Sequence, residues 1–371
     1  MTAALNSNFS LTLNILTPVH VGAGAEKNWQ RSIDFIEDNG NVYVLQQDRM
    51  FQQMSEQLLR NYTHRLEDAN FREAEKLLID NLDLDAVSSP VFKYDGGKLP
   101  NEIKTVARNG MGRPFLPGSS IKGAIISAVF HHLHYQAGPA KHNRFINNDL
   151  LGSFAQSIMR YIRPGDTSEL KTDITNVSLF NLYQKGLEWE SDYKDGFKIS
   201  MEHFKPGAKG LFRLSIADGF GDIVHEMGNK THKPLLPKYY DRIIKENPAI
   251  YLFKLINDYT HEHLRRERAL FEQHKQAPDT DLILREIESL QARTKASDKS
   301  CILRMAAGSG FHGITGDWRF KNHLSTLNQP DQENQTWSQR NRRREPSRYK
   351  SRKIMANGNE LLMGFVEMSM E

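Results

Sequence analysis

Hydrophobic positions along this 371-residue chain change period several times, and each change marks an element. From Phe9 to Ile15 the apolar residues Phe9, Leu11, Leu13 and Ile15 alternate with polar ones, as a strand with one buried face requires. It ends at Pro18. Two apolar runs, Ile33–Ile36 and Val42–Leu45, flank Asp38-Asn39-Gly40-Asn41. The Asn-Gly pair predicts a hairpin, because both central turn residues must tolerate positive φ. From Asp48 to Leu84 the period becomes helical, with Phe51, Met54 and Leu58 on one stripe and Phe71, Ala74, Leu77 and Leu78 on the next. This predicts a helical pair inserted between strands. Ser88-Ser89-Pro90 and Asp95-Gly96-Gly97 mark loops. Pro114–Gly118 leads into an apolar-rich helix from Ser119 or Ser120 to about His134, and Gly210–Ala217 alternates again after a Pro206-Gly207 turn.

The second half repeats the alternation of strand and helix. Leu252, Leu255, Ile256 and Tyr259 form one stripe and Ile283, Ile287 and Leu290 another, with a turn and N-cap at Gln276–Thr280 between them. An αα-hairpin over roughly 238–296 follows. Cys301–Met305 is a short apolar stretch, Ala306–Gly313 a small-residue loop, Asn322–Lys353 a polar segment and Leu361–Met368 the last strand candidate. No short-period repeat is present. Strand, Gly-rich loop, helical insertion and returning strand nevertheless occur once in each half, which predicts two related α+β domains.

Composition narrows the class. No apolar run approaches the roughly 18 residues of a membrane span, and Met1–Ser10 lacks the basic and apolar regions of a signal peptide, so a cytoplasmic protein without membrane contact is expected. A single cysteine, Cys301, excludes an internal disulfide and any site of paired thiolates. The net charge of +4 is mild. Resolved by position it is not uniform: Arg340–Lys353 carries eight basic residues and one acid, +7 locally, which leaves −3 for the rest.

Four segments carry candidate chemistry. In Phe115-Leu116-Pro117-Gly118-Ser119-Ser120-Ile121-Lys122-Gly123, Ser119 and Ser120 can cap a helix start, and the free N–H groups with Lys122 form a phosphate cradle; taken alone, a well-capped core helix with a solvated lysine is the better reading. The Walker A pattern is missing. Thr17-Pro18-Val19-His20-Val21-Gly22-Ala23-Gly24 runs a strand into a glycine turn where Gly22 and Gly24 permit close approach and His20 could serve a phosphate or act as acid or base; in isolation a structural turn with an incidental histidine is the better reading. Gly308-Ser309-Gly310-Phe311-His312-Gly313 sets Phe311 as a base-stacking platform in a flexible loop, or is an ordinary surface turn. The fourth is the run Arg340, Arg342, Arg343, Arg344, Arg348, Lys350, Arg352 and Lys353 with Trp337 and Tyr349 nearby, suited to phosphate forks and stacking. His131-His132-x-His134 and His261-Glu262-His263 lack the spacing and carboxylate of a metal site, and no nucleophile elbow exists, so neither metal nor cofactor is expected.

Together these pieces resemble the RAMP proteins of CRISPR effector complexes. The resemblance rests on Thr17–Gly24, Leu116–Gly123, Lys205-Pro206-Gly207 before a strand, Gly308-Ser309-Gly310-Phe311, and Lys350–Ile354 followed by Met363-Gly364-Phe365-Val366, in family order over almost the whole chain. Order and length are most similar to the fifth-subunit family of type III-A (Csm) complexes. The resemblance implies an α+β fold of two ferredoxin-like (RRM-like) domains: residues 1–218 with a helical insertion at about 48–84, and 219–371 with a helical hairpin at about 238–296. It also implies a non-catalytic subunit that binds CRISPR RNA, caps the backbone filament at the RNA 3′ end and supports RNA maturation in antiviral defence. Its partners would be CRISPR RNA and other Csm subunits, especially the repeated backbone RAMP subunit; recruitment of host nucleases stays open. The RNA-binding set is then His20, Gly22, Gly24, Gly118, Ser119, Ser120, Lys122, Gly308, Gly310, Phe311, His312, Arg340, Arg342, Arg343, Arg344, Arg348, Arg352 and Lys353. One departure is Ile126, where relatives often carry an arginine. The competing reading is a RAMP-type endoribonuclease cleaving at a 2′-OH without metal, through His20 or His312.

Overall fold

The computed structural model describes residues 6–94, 99–137, 151, 157–183, 186–189, 199–217, 247–272, 280–309, 352–355 and 361–370. The strands are β1 (Asn6–Ile15), β2 (Trp29–Gln30), β3 (Phe35–Asp38), β4 (Asn41–Leu45), β5 (Ser88–Lys93), β6 (Glu102–Ile103), β7 (Ile162–Pro164), β8 (Thr172–Tyr183), β9 (Gly186–Trp189), β10 (Ile199–Phe204), β11 (Lys209–Ala217), β12 (Ser300–Arg304), β13 (Arg352–Met355), β14 (Leu361–Leu362) and β15 (Phe365–Met370). The helices are α1 (Gln47–Gln53), α2 (Glu56–Glu67), α3 (Phe71–Asn81), α4 (Leu84–Val87), α5 (Gly118–Ala137), α6 (Pro248–Glu272) and α7 (Thr280–Arg293). No helix among the described residues is long and apolar enough to cross a membrane.

The alternation in β1 places Leu11, Leu13 and Ile15 in the main core, where they meet Leu214 and Ile216 of β11 and Val366 and Met368 of β15. Helices α5 and α6 cover this face through Ile121, Ile125, Val129, Leu252 and Ile256. The central sheet is antiparallel, in the order β12-β15-β1-β11-β7. A one-residue slip of β1 would turn three large apolar side chains to water at roughly 2 kcal/mol each, so register is strongly specified. On the opposite face Ile302 and Phe365 pack under Ile283, Ile287 and Leu290 of α7. The hairpin stripes read from sequence are thus buried, one on each side of the sheet's β12 edge.

Four of these strands and two helices, β1-α5-β7-β11-α6-β15, follow the chain order of a ferredoxin-like unit. Two such domains meeting at 218 were expected, yet both halves build this one sheet, since β1 pairs with both β11 and β15. A second antiparallel sheet, β10-β8-β13-β14 with β9 on β8, also joins segments from either side of 218. What the fold establishes is a mixed assembly of antiparallel sheets and helices.

The Asn-Gly hairpin forms as read: β3 pairs with β4, and Asn39 and Gly40 have φ of 48° and 75°. The helical pair at 48–84 is instead four helices. Polar caps divide it: Ser55, Asn70 and Asp83 accept hydrogen bonds from the N–H groups of Leu58, Glu73 and Ala86, so each ends one helix and begins the next. The last strand splits at Met363-Gly364, where Gly364 has φ 102° and gives its N–H to the Pro18 carbonyl. The Asp95-Gly96-Gly97 loop and the hairpin turn at 276–279 lie outside the described residues.

Candidate nucleic-acid interface

Strands β1, β7 and β12 run in the same direction, so the segments that follow them emerge at one end of the central sheet. Backbone hydrogen bonds join these segments in series. Ala307 N–H donates to the His20 carbonyl (3.1 Å), Ala107 N–H to Val21 (2.9 Å), Phe115 N–H to Ala107 (3.2 Å) and Thr167 N–H to Leu116 (3.1 Å). Residues 305–309, 17–24, 105–108 and 114–118 therefore lie side by side. Sequence spacing predicted loops at three of these places but not that they touch.

Glu202 in β10 is the hub beneath the Thr17–Gly24 segment. Its carboxylate is fully buried and receives a two-pronged contact from Arg108, with Nη1 2.7 Å from Oε2 and Nη2 2.6 Å from Oε1, plus the Val106 N–H at 3.0 Å. Arg108 also lies over the Trp29 ring, 5.0 Å from its centroid. His20, only 6% exposed, donates Nδ1–H to the Glu202 carbonyl at 2.7 Å. Burial holds its imidazole below the usual histidine pKa, against the pull of that hydrogen bond and of the Glu202 charge. Its Nε2 faces Gly22, where an added Cβ would sit 3.3 Å away. His20 is accordingly a neutral, internally bonded group, while Gly22 and Gly24 beside it are exposed.

The phosphate-cradle reading of the α5 start needs correction. The helix begins at Gly118, so Ser119 and Ser120 lie within its first turn and do not cap it. The cap comes from afar: Asp166 accepts the Gly118 N–H at 2.8 Å, and Thr167 Oγ1 accepts from Leu116 N–H at 2.9 Å. One of the amides meant for a phosphate is thus already bound to a carboxylate. Gly118 itself is buried where the chain meets the end of β7; a Cβ there would collide with the Pro164 carbonyl oxygen. Lys122 is half-buried, and its ammonium is pushed below the ordinary lysine pKa by desolvation and by the nearby Arg163 charge. Ile126, the departure noted in the sequence, is half-buried and packs against the core.

Gly308 also differs from its reading as a close-approach position for a ligand. It is buried with φ 99°, and a Cβ would stand 2.5 Å from the Met363 side chain, so the protein's own Met363 takes up the space. Its carbonyl accepts from Nη2 of Arg304 at 2.8 Å. Gly310, Phe311, His312 and the arginines Arg340, Arg342, Arg343, Arg344 and Arg348 lie outside the described residues. Arg352 and Lys353 belong to β13, opposite Phe180 and Leu179 of β8, on the second sheet.

Sequence reasoning missed Glu202, Arg108, Asp166 and Arg304, which hold the loops from below. Only a carboxylate inside the otherwise buried strand Ile199–Phe204 hinted at one of them. Among the described residues no cluster of three or more metal-ligating side chains exists. His263, one of the histidines excluded as a metal ligand, is instead 2.9 Å from Arg304.

With this geometry, the relatives are informative. A family model of the RAMP superfamily matches residues 12–320, and the chain belongs to that superfamily. Among the solved structures that share its fold, two are informative. One is a chain of a cryo-EM structure of the Csm-crRNA-target RNA ternary complex in a type III-A CRISPR-Cas system: TM-score 0.63, 15% identity, 98% of this chain and 100% of that chain. The other is the crystal structure of T. onnurineus Csm5: TM-score 0.59, 17% identity, 96% of this chain and 99% of that one. No curated protein sequence matches significantly.

Proposed function

We propose that the chain is the CRISPR RNA-binding subunit of a type III-A (Csm) effector complex that caps the backbone filament at the RNA 3′ end and supports maturation, without cutting the RNA. The observation that carries this reading is the series of paired loops at one sheet end, with the exposed backbone of Gly22 and Gly24 at its middle and Lys122 on the helix that follows it. Likeness to a chain of an RNA-containing Csm complex over 98% of the length supports it. Binding is to phosphates of single-stranded RNA, with little base reading. The arginine run 340–353 supplies the charge. The repeated backbone RAMP subunit is the neighbour expected on the capped side; host nucleases form no part of the proposal.

The test is salt dependence. Three or more phosphate contacts on a single strand give a slope of log affinity against log salt of about −2 or steeper. Binding of labelled CRISPR repeat RNA to the purified chain, measured over a salt series, checks it; a slope near zero would refute the phosphate reading. The endoribonuclease alternative is decided in the same tube. Repeat RNA incubated with the protein and EDTA stays intact under the capping reading, whereas specific cuts lost in His20→Ala would establish the enzyme. The buried His20, with Nδ1 committed to a backbone carbonyl, favours the first outcome.

A further inference from the structure

Arg304 closes β12 and is 2% exposed, an expensive place for a guanidinium unless its donors are used. They are. Nη2 donates to the Gly308 carbonyl at 2.8 Å, Nε to the Met363 carbonyl at 3.2 Å, and Nη1 lies 2.9 Å from His263 Nε2 and 3.4 Å from Glu267 Oε2. The guanidinium carbon is 5.0 Å from the Phe365 ring centroid. Two of these contacts fix turns that depend on left-handed glycines, Gly308 at φ 99° and Gly364 at φ 102°. The same two turns hold the first loop of the interface: Ala307 N–H donates to His20, and Gly364 N–H to Pro18. The other two contacts come from α6, so one buried cation ties helix, strand end and both turns together.

We infer that Arg304 is a positioning residue for RNA binding: it sets the separation of the Gly308 and Gly364 turns and through them presents the Pro18–Gly24 loop in a preordered form. This rests on the proposed RNA-binding function. The planar fork matters, because two carbonyls on different segments are held at a fixed separation by donors of one rigid group. A lysine offers a single point charge and cannot set both at once.

The experiment uses the full chain with three variants: Arg304→Lys, Arg304→Met, and Arg304→Met with Glu267→Gln, which also neutralises the buried carboxylate that faces the guanidinium. Hydrogen exchange at the amides of Ala307 and Gly364, thermal midpoint and affinity for labelled CRISPR repeat RNA are read on each. For variants that keep a cooperative transition, faster exchange at both amides by about tenfold and weaker RNA binding by about tenfold are expected. A merely structural arginine would lower the midpoint while a still-folded variant bound RNA normally. Faster exchange with unchanged affinity, or unchanged exchange, therefore overturns the inference. If the unsubstituted chain does not bind RNA, the functional proposal fails on its own, and exchange in the variants still decides whether Arg304 orders the loop.

Discussion

Replacing Gly118 by alanine sets two effects of opposite sign against each other. Within a helix, alanine is favoured over glycine by up to about 1 kcal/mol, because glycine has more backbone freedom to lose. Here, however, the new Cβ would stand 2.7 Å from both the carbonyl carbon and the carbonyl oxygen of Gly165, about 0.7 Å short of ordinary contact at 3.4 Å, with the Pro164 oxygen closer still. These are backbone atoms and cannot rotate away. Separating the α5 start from the end of β7 also strains the Gly118–Asp166 hydrogen bond. Overpacking of this kind costs about 1–3 kcal/mol, so Gly118→Ala is expected to destabilise by about 1–2 kcal/mol net. Gly123, one turn further along, is the control: a Cβ there meets nothing within 4 Å, and Gly123→Ala should stabilise by up to about 1 kcal/mol. Urea denaturation followed by circular dichroism compares the two variants in one host. If Gly118→Ala proves as stable as Gly123→Ala, close approach to β7 is not why glycine stands there, and the account of this helix start fails.

Further predictions concern charge. Arg108→Met leaves the Glu202 carboxylate buried and unpaired and should cost about 3–5 kcal/mol, with much of it recovered by adding Glu202→Gln; equal loss in single and double variants would refute the role of the ion pair. Glu286 of α7 accepts the Leu362 N–H at 2.8 Å, and burial pushes its carboxyl up to about 7. Because the folded form then holds a proton that the unfolded chain has released, this group's stabilisation is present below the unfolded pKa near 4.5 and is lost as pH rises through about 7. Glu286→Gln should gain on the natural chain by at most about 3 kcal/mol across that window, less for its partial exposure, and a pH-independent difference in denaturation midpoint would count against it. His132 acts with the other sign: burial lowers it to about 4, so its contribution falls as pH drops from 6.5 toward 4, and His132→Phe should flatten the acid limb of the stability curve.

Local chemistry was legible where it needs only neighbours in sequence. Alternation in Phe9–Ile15 located β1, the Asn39-Gly40 pair specified the β3–β4 hairpin, and the stripes Leu252–Tyr259 and Ile283–Leu290 marked faces that are buried. At 48–84 the apolar period alone shows two helices, whereas the caps Ser55, Asn70 and Asp83 divide the segment further. Short strands such as β7 and β10 escaped because three to six residues carry too little periodicity to separate from a loop.

By itself, then, the sequence determined the periods, turns and order of motifs, including the glycines on which the resemblance to the superfamily rests. What those glycines do was decided only by tertiary structure. Gly118 and Gly308 are glycines because β7 and Met363 crowd them, which places them inside the protein, while Gly22 and Gly24 remain outside. The union of first and last strands in one sheet, and the partnerships of Arg108 with Glu202 and Arg304 with Met363, join residues from 59 to more than 300 positions apart. Such contacts depend on which surfaces meet once hydrophobic faces are buried. No periodicity along the chain encodes that meeting, because it is settled by packing in three dimensions.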